Sequence, residues 1–116
     1  HQTGDQLLKE LAYIAQNPIR ENDILVRYGG EEFFIIMPNC TPRQASEVAE
    51  RIRSSLEKDM TSDHKITASL GISTYSFSSD LESADEVLEK LIEQSDQALY
   101  QAKDKGRNRF QHFSSI

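Results

Sequence analysis

The chain has 116 residues, a formal net charge of −6 and 28% charged residues, which suits one domain with a solvated surface and a single core. The acidic balance argues against a nucleic-acid partner, and no apolar stretch approaches the length of a membrane span. Cys40 is the only cysteine, which excludes an internal disulfide and a cysteine-based metal cluster. These features fit a cytoplasmic protein, in which any membrane anchoring of the parent would come through an upstream domain.

Two amphipathic helices are predicted in the first half of the chain. The first runs from about Gly4 to Asn17 and ends before Pro18, because the residue preceding a proline avoids α-helical backbone angles. The second begins at Pro42, with Thr41 and Gln44 in the pattern of a capping box. Its apolar positions recur at helical spacing and predict a buried stripe of Ala45, Val48, Ala49, Ile52 and Leu56.

A β-hairpin is predicted between these helices. The apolar runs 24–28 and 33–37 flank Gly29 and Gly30, and the tight turns of hairpins favour residues that tolerate positive φ. Hairpin formation does not explain the adjacent carboxylates Glu31 and Glu32, since two neighbouring negative charges repel each other. They indicate a site at the tip, and the alternative is an ordinary hairpin with acidic residues for solubility.

The second half predicts a strand over 66–75, a long helix and a short strand over 109–113. The helix opens at a capping box formed by Ser83 and Glu86, and Gly106 ends it. Its predicted apolar face comprises Val87, Leu88, Leu91, Ile92, Ala98, Leu99 and Ala102. The predicted class is α+β, with a central, mainly antiparallel sheet covered by helices. The predicted order of helices and strands begins with a helix that no strand precedes, so we expect a first strand to be missing.

Two motifs carry a resemblance to a known family. Residues 27–33, Arg-Tyr-Gly-Gly-Glu-Glu-Phe, resemble the signature of the GGDEF family of diguanylate cyclases in its GGEEF form. Residues 99–108, Leu-Tyr-Gln-Ala-Lys-Asp-Lys-Gly-Arg-Asn, resemble the family's second motif, and 69–72 resemble the strand that packs beside the catalytic hairpin. The resemblance implies a nucleotidyl-cyclase-like fold with a ferredoxin-like βαββαβ core. Residues 1–116 would then be a partial GGDEF domain that lacks the first strand and first helix.

The resemblance implies catalytic and metal-binding roles for Glu31 and Glu32. Carboxylate oxygens suit Mg²⁺ (or Mn²⁺), which takes one or two protein carboxylates beside phosphate oxygens. Gly29 and Gly30 would let the backbone approach substrate phosphates, because they have no Cβ.

Three further substrate contacts are implied. Asp5 would accept hydrogen bonds from the guanine edge of GTP, and the alternative is that it complements the dipole at a helix N-terminus. Lys103 and Arg107 would contact the GTP phosphates, and the alternative is that they complement the negative end of their helix.

An inhibitory product site is also implied. Arg20 and Asp23 have the form Arg-x-x-Asp, ending shortly before Gly29, where the family places such a site. Arg51 matches a supporting arginine. Arginine forks recognise phosphate and guanine acceptors, and aspartate accepts from guanine N–H groups.

The implied activity is the condensation of two GTP into cyclic di-GMP and pyrophosphate. Two nucleotides in two half-sites imply a homodimer that meets at the hairpin, and an upstream sensory or regulatory domain is expected in the parent. The fragment alone is expected to be inactive. The alternatives are a non-catalytic module that senses GTP or cyclic di-GMP, and a cyclase that makes a different cyclic product.

Overall fold

The computed structural model of the protein describes residues 4–29, 32–59, 67–75 and 82–115. The elements follow the predicted order of helices and strands. None of the helices in these ranges is long and apolar enough to cross a membrane. In chain order the helices and strands are α1 (Gly4–Gln16), β1 (Ile24–Gly29), β2 (Glu32–Ile36), α2 (Pro42–Asp59), β3 (Leu70–Ile72), α3 (Ala84–Asp104), β4 (Phe110–His112) and a 3-10 turn (Phe113–Ser115).

Capping boxes are predicted at the starts of α1, α2 and α3, and the one at α1 involves Thr3, which lies outside the described residues. The side chains of the other two accept hydrogen bonds from the backbone at the starts of α2 and α3. The Gln44 N–H donates to Thr41 Oγ1 at 3.1 Å, and the Thr41 N–H donates to Gln44 Oε1 at 3.0 Å. At α3, the Glu86 N–H donates to Ser83 Oγ at 3.2 Å. These bonds satisfy backbone donors that have no partner within the first turn of a helix, so they fix where each helix begins.

The core lies between α1, α2 and the inner face of the hairpin. All five residues of the predicted α2 stripe are buried, and Leu56 is only 1% exposed. Val48, Ile52 and Leu56 pack with Ile14 and Ala15 of α1. Burial of each large aliphatic side chain contributes roughly 1.5–3 kcal/mol, so this cluster orients the hairpin on the two helices. Partly buried residues of the strands and loops complete the cluster, among them Leu25, Ile35, Met37 and Leu70.

Helix α3 packs on the strand β3 more tightly than its sequence suggests. Ala98 and Ala102 are fully buried, as predicted. A Cβ at Gly71 would lie 2.1 Å from the backbone oxygen of Ser95. The prediction that Leu88 belongs to the buried face is wrong, since it is 50% exposed. The described close contacts of β3 with this helix lie further along it, where Gly71 approaches Ser95.

The described strands form two separate two-stranded sheets. β1 pairs with β2 antiparallel, as predicted, whereas β3 pairs with β4 in parallel. The parallel pair follows from connectivity: α3 forms a crossover between the two strands, which returns the chain in the same direction. The strand predicted over 66–75 is limited to Leu70–Ile72 among the described residues. It hydrogen-bonds to β4 and to neither strand of the hairpin.

The buried His112 anchors the end of β4. The Ser114 N–H donates to its Nδ1 at 3.1 Å, so Nε2 carries the proton and donates to Thr74 Oγ1 at 2.8 Å. Burial lowers the pKa of His112, which favours this neutral imidazole. The ring thereby ties the loop after β3 to the end of β4.

Candidate functional site

The tip of the hairpin is irregular in a way that fits a site. Gly29 pairs with Glu32, and Arg27 pairs with Phe33, so Tyr28 is an extra residue on β1. This is a β-bulge, a feature that bends a strand and is common next to active sites. Gly29 is thus the last residue of β1 and not a residue of the turn itself. The predicted tip residues Gly30 and Glu31 lie outside the described residues.

Glu32 begins β2 as an exposed carboxylate. By strand alternation it shares a face with Phe34 and Ile36, the face opposite the helical core. Its carboxylate makes no hydrogen bond or ion pair with the residues that the structure describes. Oxygen ligands of this kind suit Mg²⁺, although the described ranges contain no group of three or more His, Cys, Asp or Glu arranged to hold a metal.

The C-terminus of α3 ends in a fully formed Schellman motif. The Arg107 N–H donates to the Ala102 carbonyl at 3.0 Å, and the Gly106 N–H donates to the Lys103 carbonyl at 3.3 Å. Gly106 has φ +122°, and it is followed by Arg107 at φ 63° and Asn108 at φ 48°. An arginine in this left-handed region costs roughly 1–2 kcal/mol, so the surrounding contacts must hold it there.

The predicted phosphate-binding cations lie on either side of this helix end. Lys103 is in the last turn of α3 and Arg107 follows the terminating glycine, and both side chains are exposed. Neither makes a hydrogen bond or ion pair within the described ranges. Asp5 lies in the first turn of α1. No described hydrogen bond joins these residues to Glu32, so the predicted site residues lie on three separate elements with no described hydrogen bond among them.

Arg20 and Asp23 form a closed ion pair at the base of the hairpin. The Arg20 guanidinium donates to both oxygens of Asp23, with Nη2 to Oδ1 at 2.9 Å and Nε to Oδ2 at 3.2 Å. It also donates to the carbonyls of Pro38 at 2.5 Å and Asn39 at 3.3 Å. One arginine therefore fastens the segment that enters β1 to the segment that leaves β2.

The environment of Asp23 keeps it ionised. Its side chain is fully buried, and burial alone would raise its pKa. The hydrogen bonds from the side chain and backbone of Arg20, together with the guanidinium charge, outweigh burial and hold the pKa of Asp23 below its ordinary value. Arg51 is exposed on α2 and makes no described contact with this pair.

Some residues around the site are not evident in the sequence. The carbonyls of Pro38 and Asn39 carry no side-chain signature, and only the turn-forming Pro-Asn pair indicates a bend there. Asn108 contacts Arg53, which is 55 residues away in the chain. The Gly106-Arg107-Asn108 triplet does signal a change of backbone direction, since glycine and asparagine tolerate positive φ.

The arrangement of the hairpin and the helices is that of a nucleotidyl-cyclase-like fold. The family model described as "Diguanylate cyclase, GGDEF domain" matches residues 1–109, so the chain belongs to the GGDEF family. Diguanylate cyclase A of Treponema denticola is 44% identical over 113 residues, which cover 94% of this chain. The chain spans only 29% of the length of that relative.

Solved structures confirm the fold. The active GGEEF domain of a diguanylate cyclase from Vibrio cholerae is similar with a TM-score of 0.81 and 32% identity, covering 97% of this chain and 70% of that one. The GGDEF domain of DgcB from Caulobacter crescentus, solved in complex with c-di-GMP, has a TM-score of 0.82 and 30% identity. That match covers 99% of this chain and 67% of the other. The predicted α+β class with a cyclase-like fold is therefore confirmed.

Proposed function

We propose that this chain is the catalytic region of a diguanylate cyclase, which condenses two GTP into cyclic di-GMP and pyrophosphate. The observation that carries the proposal is the bulged hairpin of a GGDEF-family chain, in which Glu32 pairs with Gly29 at the tip. The bulge and the strand register place the carboxylate of Glu32 beside Gly29, where a phosphate can approach the backbone.

In this reaction, the 3′-hydroxyl of one GTP attacks the α-phosphorus of the other, and pyrophosphate leaves. Repeating the transfer in the opposite direction closes the ring. Both steps concentrate negative charge on phosphate oxygens, so the protein must supply positive charge and oxygen ligands for a cation. When bound, Mg²⁺ or Mn²⁺ neutralises phosphate charge and helps to activate the hydroxyl.

The residues divide these tasks among three elements. Glu31 and Glu32 would hold the cation at the hairpin tip, while Gly29 and Gly30 admit the phosphates. Lys103 and Arg107, the latter directly after Gly106, would contact the triphosphate, since both are exposed and have no described partner. Asp5, at the start of α1, would accept hydrogen bonds from guanine.

The Arg20–Asp23 pair and Arg51 would form the inhibitory site for cyclic di-GMP. The pair is preorganised, and a charged arginine fork matches a phosphate diester or guanine acceptors. The solved c-di-GMP complex of a GGDEF neighbour supports this ligand class. Because the guanidinium already contacts Asp23, Pro38 and Asn39, the ligand has to share or displace some of these bonds.

The whole protein would act as a homodimer, in which each copy binds one GTP and the two hairpins face each other. An upstream sensory or regulatory domain would bring the copies together in the cytoplasm. A non-catalytic sensing module is the second candidate. The ion pair of Arg20 and Asp23 favours it, because that site is complete without the catalytic carboxylates.

Glu31→Gln in the full-length protein tests the catalytic assignment. Glutamine has nearly the shape of glutamate but is a much poorer metal ligand. Turnover of GTP should fall by at least two orders of magnitude, about 3 kcal/mol in activation free energy, while the melting temperature stays unchanged. Removal of divalent cations with EDTA should abolish turnover of the wild type, and ATP should not replace GTP.

The exposed Glu47 provides the matched control, since Glu47→Gln removes one carboxylate far along the chain on α2. It should leave turnover unchanged. Near-normal turnover by Glu31→Gln at saturating GTP and Mg²⁺ would refute the catalytic role. A wild type that binds cyclic di-GMP without consuming GTP would favour the sensing module.

A further inference from the structure

A cluster of charged side chains on α2 is hydrogen-bonded to the loop after α3, and the proposed function does not use this cluster. We call residues 105–109 the cap loop, and we call Glu50, Arg53 and Glu57 of α2, which hold Asn108 of that loop, the Asn108 clamp. Arg53 Nη1 donates to Asn108 Oδ1 at 3.0 Å, and Asn108 Nδ2 donates to Glu57. Both polar groups of the Asn108 amide are thereby used by α2.

The arginine of the clamp is itself tightly oriented. Arg53 Nε and Nη2 donate to the two oxygens of Glu50, both at 2.7 Å, which is a bidentate fork. Its Nη1 also lies 3.4 Å from Glu57 Oε2. The Arg53 side chain is only 18% exposed, so little freedom remains for the guanidinium. Because the fork fixes the Arg53 guanidinium, it also fixes the Nη1 donor that binds Asn108.

The clamp acts on Asn108, the second of two consecutive non-glycine residues with positive φ. Arg107 has φ 63° and Asn108 φ 48°, and the Arg107 N–H is bonded to the Ala102 carbonyl. Beyond Asn108, the Leu70 N–H donates to the Arg109 carbonyl at 3.0 Å, which joins the loop to β3. The Arg107 backbone is thus fixed on both sides, while its side chain stays exposed and has no described partner.

We propose that Asn108 and Arg53 are positioning residues that hold Arg107 in its left-handed conformation, with its guanidinium presented beside Lys103 for a triphosphate. This inference rests on the proposed function for the identity of the ligand, GTP. An arginine fixed in advance loses less conformational entropy when it binds a phosphate. The clamp therefore strengthens nucleotide binding without contacting the nucleotide.

Asn108→Gly is the sharpest test, because glycine adopts φ 48° freely but lacks the amide that the clamp holds. In the full-length protein it should raise KM for GTP at least fivefold and change kcat by less than twofold, since the lost contact acts on binding. Glu57→Ala should act in the same direction. Glu57→Gln keeps an oxygen that accepts from Asn108 and should retain a near-normal KM.

Arg43→Ala is the matched control. Arg43 and Glu47 form an exposed pair on the same helix, away from the cap loop, so its removal should leave KM unchanged. Amide hydrogen exchange gives a readout without turnover: the Arg107 amide should exchange at least tenfold faster in Asn108→Gly than in wild type or Arg43→Ala.

The outcomes separate this inference from the proposed function. If the wild type fails to consume GTP, the proposed function fails, and hydrogen exchange still decides whether the clamp holds the loop. If Asn108→Gly matches Arg43→Ala in both KM and Arg107 exchange, the clamp has no positioning role. A large fall in kcat at unchanged KM would also overturn it.

Discussion

Arg20 has a structural role in addition to the ligand-binding role proposed for it. From the sequence it is one end of an Arg-x-x-Asp motif with a predicted role in binding cyclic di-GMP. In the structure it also bridges the start of β1 and the segment after β2, through Asp23 and the carbonyls of Pro38 and Asn39. Removing it would leave the buried Asp23 carboxylate without its charge partner, which is a costly arrangement.

Variants of Arg20 and Arg51 should therefore differ in stability although both weaken product binding. Arg20→Ala should weaken cyclic di-GMP binding and lower the melting temperature, because it opens the base of the hairpin. Arg51→Ala should weaken binding with no change in melting temperature, since Arg51 is exposed and has no described partner. Titration calorimetry and thermal unfolding of the same preparations measure both effects.

Equal affinity for wild type and Arg51→Ala would remove Arg51 from the site. An unchanged melting temperature for Arg20→Ala would show that its hydrogen bonds across the hairpin contribute nothing measurable to folding. Arg43→Ala again serves as the control, because it removes an exposed arginine of the same helix as Arg51 and should change neither quantity.

At the scale of elements, the sequence predicted what depends on local pattern. The start of α2 at Pro42, its buried stripe and the antiparallel hairpin are confirmed, because capping chemistry and residue periodicity act over a few positions. The parallel pairing of β3 with β4 was not predicted. Which strand β3 pairs with depends on contacts between distant segments, whereas the parallel direction follows from the connectivity β3–α3–β4.

The features around the candidate site also divide into those that local sequence predicts and those that depend on distant contacts. The Schellman end of α3 was predictable from Gly106, whereas the clamp on Asn108 was not, since Arg53 lies on another helix. Leu88 has the spacing of a buried residue and is half exposed. In each case the local pattern is compatible with several structures, and tertiary packing determines which one forms.

The contact between β3 and α3 leads to a prediction for Gly71. A methyl group there would meet backbone atoms, with Ser95 O at 2.1 Å and Leu99 N at 2.4 Å, and backbone cannot move aside as a side chain can. Gly71→Ala should therefore destabilise the fold by about 3 kcal/mol or more, at the upper end of overpacking effects. Urea unfolding followed by circular dichroism measures the change.

Gly4→Ala is the control, because no atom lies within 4 Å of the position its Cβ would take. Alanine also favours a helix over glycine, so stability should be unchanged or raised by up to about 1 kcal/mol. A Gly71→Ala variant as stable as Gly4→Ala would mean that α3 shifts away from β3 without cost. The close packing would then have no role in setting the position of the cap loop.

At the scale of the whole molecule, the site of one copy accounts for half of the proposed reaction. In the proposed function, Glu32, Lys103 and Arg107 of one copy bind one triphosphate, while cyclic di-GMP is built from two nucleotides. The face of the hairpin opposite the core is also apolar and exposed, with Ile24, Tyr28 and Ile36 each 48% exposed or more. The proposed mechanism therefore needs a second copy of the chain to supply the other nucleotide.

The rate of product formation should consequently depend on protein concentration. At saturating GTP and Mg²⁺, the turnover per copy of the full-length protein should fall on dilution below the dissociation constant of its dimer, and should reach a plateau above it. A reaction completed within one copy would give the same turnover per copy at every dilution, because no association step precedes it. Initial rates over a hundredfold range of protein concentration, with light scattering on the same samples, distinguish these cases. Fusion of the full-length protein to a constitutive dimeric coiled coil should restore turnover at the lowest concentrations, since it raises the effective concentration of the second half-site. Constant turnover per copy in samples that light scattering shows to be monomeric would exclude the two-copy mechanism.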